Sequence, residues 1–388
     1  MVLNSNISPS QRPPGNKQRG AVILILVTVI VLTLTTVVVS QLSINRQQLN
    51  RGDITAQALS AAREALIGYA LRQNPPGVLP CPDNNGDGQQ ETTIGGCVTQ
   101  RGFLPFRTLG LSQYTDGSGT QLWYAVEPNY TAGTPAIAKN SSNTSGLTLD
   151  GASVAAVILA PGSFFPPQQR PPNDFSGSLS GANSAANTAD EYLEDVNADS
   201  NRDTYEIASS DTHNDAVIGI NVQTFWTLIE RRVLAEAGRA AEDYKSCFGE
   251  YPWASTFGTS NSVNNLQNGG FPSGTALPSA WNATCTAPSA PQTSITPPAA
   301  WLNTHWGDQL QFNFCLVAAN NCISISGDVS GSVEAVIIAP GIDFSGNRPS
   351  TTLGDYFEGQ NATAPFDQLE YRSPSNHNGT FNDVLRSL

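Results

Sequence analysis

The chain has 388 residues, enough for two domains that each bury a core, and only 13% of them are charged. Nineteen basic against 32 acidic residues give a net charge of −13 at pH 7. That balance repels phosphate backbones and excludes nucleic-acid binding through a broad basic patch. Lysine occurs only at Lys17, Lys139 and Lys245, while Gly and Pro are abundant at 34 and 26. This is the composition of an exported, loop-rich, β-containing protein.

In chain order, the first element is a basic leader, residues 1–20, with Arg12, Lys17 and Arg19 and no acidic residue. It abuts the uncharged apolar run 21–39 through Gly20. A run of about 20 residues, rising about 1.5 Å each as helix, crosses a bilayer core of roughly 30 Å. The positive-inside bias then keeps the leader cytoplasmic and sends everything after Val39 outward. Val38-Val39-Ser40 makes a poor signal-peptidase site, and the apolar core is longer than in a cleaved signal peptide.

From Ser40 to Gln73 the pattern stays helical, with Leu42, Leu49, Ala56, Leu59, Leu66 and Ala70 near helical spacing and Pro75-Pro76 as the stop. The spacing predicts one helix over 21–73, about 80 Å long, with Gly52 as its weak point. Its outer part is expected to pack an Ala-rich face against antiparallel strands, giving an α+β fold.

The segment Lys17-Gln-Arg-Gly-Ala-Val-Ile-Leu-Ile-Leu-Val27, followed by Arg46 and a polar continuation, resembles the class III signal of type IV pilins and type II secretion pseudopilins. The resemblance implies cleavage by prepilin peptidase after Gly20, with Ala21 as the first, commonly methylated, mature residue. It also implies a helix retained first as an inner-membrane anchor, single pass, and later as filament core. Other pilin or pseudopilin subunits and inner-membrane lipid are the implied partners. Most subunits of that family carry glutamate at the fifth mature position, where this chain has Ile25, a departure shared with the large pseudopilin at the filament tip. Ala65-Leu-Ile-Gly-Tyr-Ala70, Leu79-Pro-Cys-Pro-Asp83, Gly102-Phe-Leu-Pro-Phe106, Leu109-Gly-Leu111 and Leu122-Trp-Tyr-Ala-Val126 look like the opening of a pilin-like group found beside bacterial pilus and secretion genes.

Six cysteines, Cys81, Cys97, Cys247, Cys285, Cys315 and Cys322, all follow the span. An even count in an oxidising compartment reads as disulfides, and nearest neighbours in order are the expected pairs. Cys315 and Cys322 flank Asn320-Asn321, a hairpin-turn sequence that brings them together. A metal site made by the cysteines is disfavoured, since no Cys-x-x-Cys occurs.

The chain also matches itself. Ala155-Ala-Val-Ile-Leu-Ala-Pro-Gly162 recurs as Glu334-Ala-Val-Ile-Ile-Ala-Pro-Gly341, and Arg170-Pro171 as Arg348-Pro349. Glu191-Tyr-Leu-Glu-Asp-Val-Asn197 matches Asp355-Tyr-Phe-Glu-Gly-Gln-Asn361, and the ungapped register carries on to pair Asp203 and Glu206 with Asp367 and Glu370, and His213-Asn214 with His377-Asn378. This predicts a first pilin-like unit over 74–220 and a second α+β unit in tandem over 221–388, opened by an amphipathic helix from Val222 to Tyr244. Ser176 to Asn187 and Ser255 to Pro298 read as surface loops.

Asp195, Asn197, Asp199, Asn201, Asp203 and Glu206 reproduce the alternating oxygen-ligand spacing of a calcium loop, with Ser200 where the sharp turn wants glycine. The repeat copy puts Gly359 and Thr363 where Asp195 and Asp199 stand, so a solvated structural turn competes with calcium as the reading. Asp83-Asn-Asn-Gly-Asp-Gly88 is a second acidic loop, with Ile94 where a bidentate Glu is needed. No serine elbow, zinc spacing or phosphate loop occurs, and Asp190/Glu191 reads as a solvated acidic pair, so no enzyme is expected. The sequence reading is a minor or tip subunit of a type IV pilus or type II secretion filament, its C-terminal part periplasmic or on the filament. The rivals are a signal-anchored binding or adhesion protein and an anchored enzyme with two convergent carboxylates.

Overall fold

The computed structural model describes residues 18–388 except 113, 133–136, 165, 167, 171–174, 200–202, 208–212, 259–262, 274–297, 317–320, 328–329, 344, 363–369 and 374–381. The long helix is present as α1 (Gln18–Arg72). The chain divides into two units, Met1–Ile54 and Thr55–Leu388. In the first, Val22–Ser40 has a mean hydropathy of 3.1 and none of it is buried in protein. It is one helix long and apolar enough to cross a membrane.

Within Thr55–Leu388 the first half contributes β1 (Thr92–Thr93), β2 (Gly96–Cys97), β3 (Arg101–Phe103), β4 (Trp123–Val126), β5 (Thr148–Leu149) and β6 (Ala152–Ala160). A one-turn helix α2 (Asp195–Ala198), β7 (Thr204–Tyr205) and β8 (Ala216–Asn221) complete it. The second half opens with α3 (Val222–Phe248), capped by the Asn221 side chain accepting from Thr224 N, as an N-cap requires. There follow β9 (Ala254–Ser255), β10 (Val263–Leu266), β11 (Asn268–Gly270), α4 (Ala300–Trp306), β12 (Gln311–Phe314), β13 (Ile323–Gly327), β14 (Gly331–Val333), β15 (Ala335–Ala339), β16 (Glu370–Ser373) and β17 (Val384–Ser387).

The two sheets correspond strand for strand. Antiparallel β3-β4-β6-β8 in the first half matches antiparallel β11-β12-β15-β17 in the second. Each half also holds one parallel pair, β5 with β7 and β13 with β16, because a long excursion returns the chain in the same direction. The apolar repeat supplies the central strands, buried on both faces. Ala156, Ile158 and Ala160 face the helices with Ala335, Ile337 and Ala339, whereas Val157, Leu159, Val336 and Ile338 lie under the loops. One core joins both halves: α1 residues Ala58, Leu59, Ala62, Leu66 and Ala70 and α3 residues Phe225, Trp226, Ile229 and Val233 share it.

Two expected loops are structured. Ser176 to Asn187 stays largely at the surface but is pinned at Ser184 and Ala185, which are buried, the Ala185 amide donating to Asn84 O at 3.0 Å. Part of 255–298 is sheet: β10 and β11 carry no apolar alternation to announce them, and β11 is held because Gly269 lets Ser255 come closer than a Cβ would permit. Gly102 plays the same part in β3, where an added Cβ would lie 2.5 Å from Asp83 O.

Gly102→Ala is therefore expected to cost about 1–3 kcal/mol through displacement of the Asp83 backbone, read as a lower thermal midpoint. Gly52→Ala, with nothing within 4 Å of its new Cβ, is expected to stabilise α1 by about 0.5–1 kcal/mol, read as slower amide exchange around residue 52.

Candidate functional site

Gly20 and Ala21 lie in the first turns of α1, immediately before the apolar span. Residues 20 and 21 therefore continue without a break into the helix that carries Ile25.

Disulfides join Cys81 to Cys97 and Cys315 to Cys322, with Cα–Cα distances of 5.2 and 5.8 Å. Cys247 is also disulfide-bonded, and Cys285, its expected partner, lies outside the described residues. Asn321 takes a left-handed φ of 56° in the turn between Cys315 and Cys322. The first disulfide staples the acidic loop 83–88, where the Asp83 carboxylate accepts from the amides of Asn85, Gly86 and Gly88. Its oxygens are turned onto their own loop, as in an Asx turn.

Of the six calcium-spaced residues, Asn197 is fully buried while Asp195, Asp199, Asp203 and Glu206 are exposed; Asn201 lies outside the described residues. Asn197 Oδ1 accepts from Glu206 N at 3.0 Å and its Nδ2 donates to Glu206 O at 3.2 Å. Arg101 donates to the carbonyls of Asn197, Ala198 and Asp199 at 2.9, 3.2 and 2.7 Å. A guanidinium thus already serves the carbonyls of this turn, and Asn197 is used as a brace.

The brace extends to residues that sequence reading did not connect. Asp215 Oδ2 accepts from Glu194 N at 3.0 Å, while Glu194 Oε2 accepts from Asn214 N at 3.2 Å, so two carboxyl groups clasp each other's backbone. In the second half Asp383 Oδ2 accepts from Glu358 N at 3.3 Å and Glu358 Oε2 from Asn382 N at 3.2 Å. Asn361 Nδ2 donates to Asp383 Oδ2 at 2.9 Å, as Asn197 Nδ2 does to Asp215 Oδ2 at 3.3 Å.

Beside each clasp an arginine gathers carbonyls. Arg170 donates to Glu191, Gly162, Pro161 and Tyr192 carbonyls at 3.1, 2.8, 3.1 and 2.9 Å. Arg348 does the same to Asp355, Gly341, Pro340 and Tyr356 at 2.7, 2.7, 3.1 and 2.6 Å. Each guanidinium also lies over the following tyrosine ring, Tyr192 or Tyr356.

These contacts correct the repeat register. The ungapped match holds through Asn197 and Asn361, but the parallel strands equate Tyr205 with Tyr371, and the clasps equate Asn214 with Asn382 and Asp215 with Asp383. The pairing of His213-Asn214 with His377-Asn378 is therefore out of register by four residues. Residues 374–381 are outside the described set. The Asn-Asp dipeptide opening each last strand was the usable signal.

Burial raises the pKa of the aspartates at the centre of these networks. Burial and then the charge of Glu194 push Asp215 up to about 9, and burial raises Asp383 well above the carboxylate range with Glu358 adding to it. Burial likewise pushes Glu230, on α3, up to about 8, and Asp83 up to about 7 against the pull of its loop amides. Arg170 is lowered by burial and partly restored by Glu194, 3.6 Å away.

Comparison with protein-family models, with curated proteins and with solved structures returns no match to this chain.

Each buried acid binds its proton more tightly folded than unfolded. Between the unfolded carboxylate pKa of about 4 and the raised folded value, the native state holds more protons and stability falls as pH rises. The thermal midpoint is expected to be lower at pH 8 than at pH 5. Glu230→Gln and Asp383→Asn, which mimic the protonated acids, are expected to flatten that dependence in a scanning calorimetry series.

Proposed function

We propose that this chain is a minor or tip subunit of a bacterial type IV pilus or type II secretion filament, processed after Gly20 by prepilin peptidase. The observation that carries the reading is α1. One uninterrupted helix holds the Gly20-Ala21 junction, an unburied apolar span at Val22–Ser40 and, from Ala58 to Ala70, a small-residue face under an antiparallel sheet. A basic leader before such a helix fits an anchor in the inner membrane with the rest exported. Disulfides at Cys81–Cys97 and Cys315–Cys322 fit an oxidising compartment on the far side.

Ile25 at the fifth mature position and a double head on one anchoring helix favour a low-copy place over a repeating one, because two units per helix would crowd a lattice. The partners of this reading are prepilin peptidase, other subunits packing against residues 21–39, and membrane lipid. No catalytic step is assigned to the chain.

The test is the mature N-terminus, measured by intact mass and N-terminal peptide analysis with and without a prepilin peptidase. The expected result is a peptidase-dependent, methylated start at Ala21 that Gly20→Val abolishes together with incorporation into filaments. A leader retained in the presence of the peptidase would overturn the reading and leave a signal-anchored binding or adhesion protein.

A further inference from the structure

The clasp in the first half contains a residue that the clasp itself does not need. Glu194, His213 and Asp215, all buried, each bring one ligand-type atom to within 4.8 Å of the others. His213 Nδ1 lies 3.5 Å from Asp195 Oδ2, and Nε2 lies 4.0 Å from Asp215 Oδ2. The Asn197 Nδ2 donor is 3.2 Å from Nε2. Nε2 is thereby assigned the lone pair, and the ring proton falls on Nδ1, facing Asp195. One nitrogen turned into an oxygen cluster and the other N–H turned to a carboxylate is the posture of a metal-binding histidine.

Asp215 Oδ1 is buried without a hydrogen-bond partner, as Asp383 Oδ1 is in the second half, and His213 Nδ1 has none either. What distinguishes the first half is the histidine. The second half builds the same Glu358–Asn361–Asp383 clasp, and in the corrected register the residue matching His213 is Phe381. By sequence, the second copy thus has no nitrogen ligand at the position that His213 fills in the first.

We propose that Glu194, His213 and Asp215 form a binding site for one divalent transition metal, zinc in the first instance, with Asp195 as a positioning residue for the imidazole. One imidazole and two carboxylates suit zinc, whereas calcium asks for six to eight oxygens. Zinc bonds of about 2.0–2.2 Å put tetrahedral ligands about 3.5 Å apart, so loading draws the cluster together by roughly 1 Å. Asn197 Nδ2, which now spans Nε2 and Asp215 Oδ2, gives up both contacts and keeps its pair with Glu206. Glu194 Oε1 already accepts from Gln168 Nε2 at 2.8 Å, and Oε2 accepts from Asn214 N. The metal takes a remaining lone pair of that carboxylate. Asp195, 70% exposed, marks the edge by which an ion enters. The site stands independently of the filament reading.

The experiment titrates Co²⁺, then Zn²⁺, into chelator-stripped full-length protein in detergent, followed by cobalt visible bands and elemental analysis. The expected result is one Co²⁺ per chain, displaced by one equivalent of Zn²⁺. His213→Phe should abolish it, and Asp195→Ala should weaken it by about 10–100-fold. Glu358→Gln, in the clasp whose matching position is Phe381 rather than histidine, should leave the stoichiometry at one. Asn197→Ala, which removes the competing amide, should tighten binding and keeps the question decidable if His213→Phe misfolds. Absence of binding in both the natural chain and Asn197→Ala, binding that survives in folded His213→Phe, or Ca²⁺ competing on equal terms with Co²⁺ would each overturn the proposal.

Discussion

Four backbone carbonyls converge on one guanidinium in each half of the head, and the layer above each sheet depends on that convergence. The long excursion that leaves the central strand at Pro161-Gly162 or Pro340-Gly341 has few apolar residues with which to fold back. Arg170 and Arg348 tie its start to its return, at Tyr192 and Tyr356, through charged hydrogen bonds worth about 1.5–3 kcal/mol each. Once tied, the tyrosines fall onto the outer sheet face: Tyr192 packs on Phe103 and Trp123, and Tyr356 on Phe257. The carboxyl clasps then lock that return to the start of the last strand. Without the arginine, four inward carbonyls would lack a donor, and the aromatic layer would lose the support that seats it.

The same logic explains why the pKa of the aspartate in each clasp is raised. Glu194 with Asp215, and Glu358 with Asp383, place two carboxyl groups in a dry site, where two full charges would cost more than any local donor returns. A proton on the aspartate removes one charge and still leaves oxygens to accept the amides of Glu194 and Asn214, or of Glu358 and Asn382. Glu194, Asp215, Glu358 and Asp383 thus act as hydrogen-bonding groups of the fold, each accepting a backbone amide.

The legible and illegible parts of the sequence divide along physical lines. Helix α1 announced itself by an apolar run and then a 3.6-residue stripe, and β6 and β15 by a shared apolar octet; each signal comes from burial along one contiguous segment. The cysteine pairing of 315 with 322 followed from a turn between them. The clasps join residues about 20 apart through loops of different length, 17 residues from Asn197 to Asn214 against 21 from Asn361 to Asn382, so an ungapped comparison slid past the true partners. Strands β10 and β11 were hidden for another reason. Their Asn and Gly residues carry no apolar alternation, and β11 exists because Ser255 can approach Gly269 closely.

The two halves differ most in the helix that each supplies to the common core, and the difference is complementary in volume. On its outer turns α1 buries chiefly Ala58, Ala62, Leu66 and Ala70, whereas α3 buries Phe225, Trp226, Ile229, Val233 and Leu234. The rings of α3 meet other rings in the shared core: Tyr130 stacks on Phe225 with ring centres 5.7 Å apart, and Trp226 meets Trp306 at 6.1 Å. A core packed to crystal-like density tolerates neither two large faces nor two small ones. The second helix is therefore no free copy of the first. Its start is set by the Asn221 cap directly after β8, which leaves no length for an apolar extension, and its exposed side carries ion pairs such as Arg239 with Glu236 and Asp243. The apolar extension and the folding of the head are thus separable: the shared core accepts α1, which runs on into an apolar span, and α3, which begins at its cap.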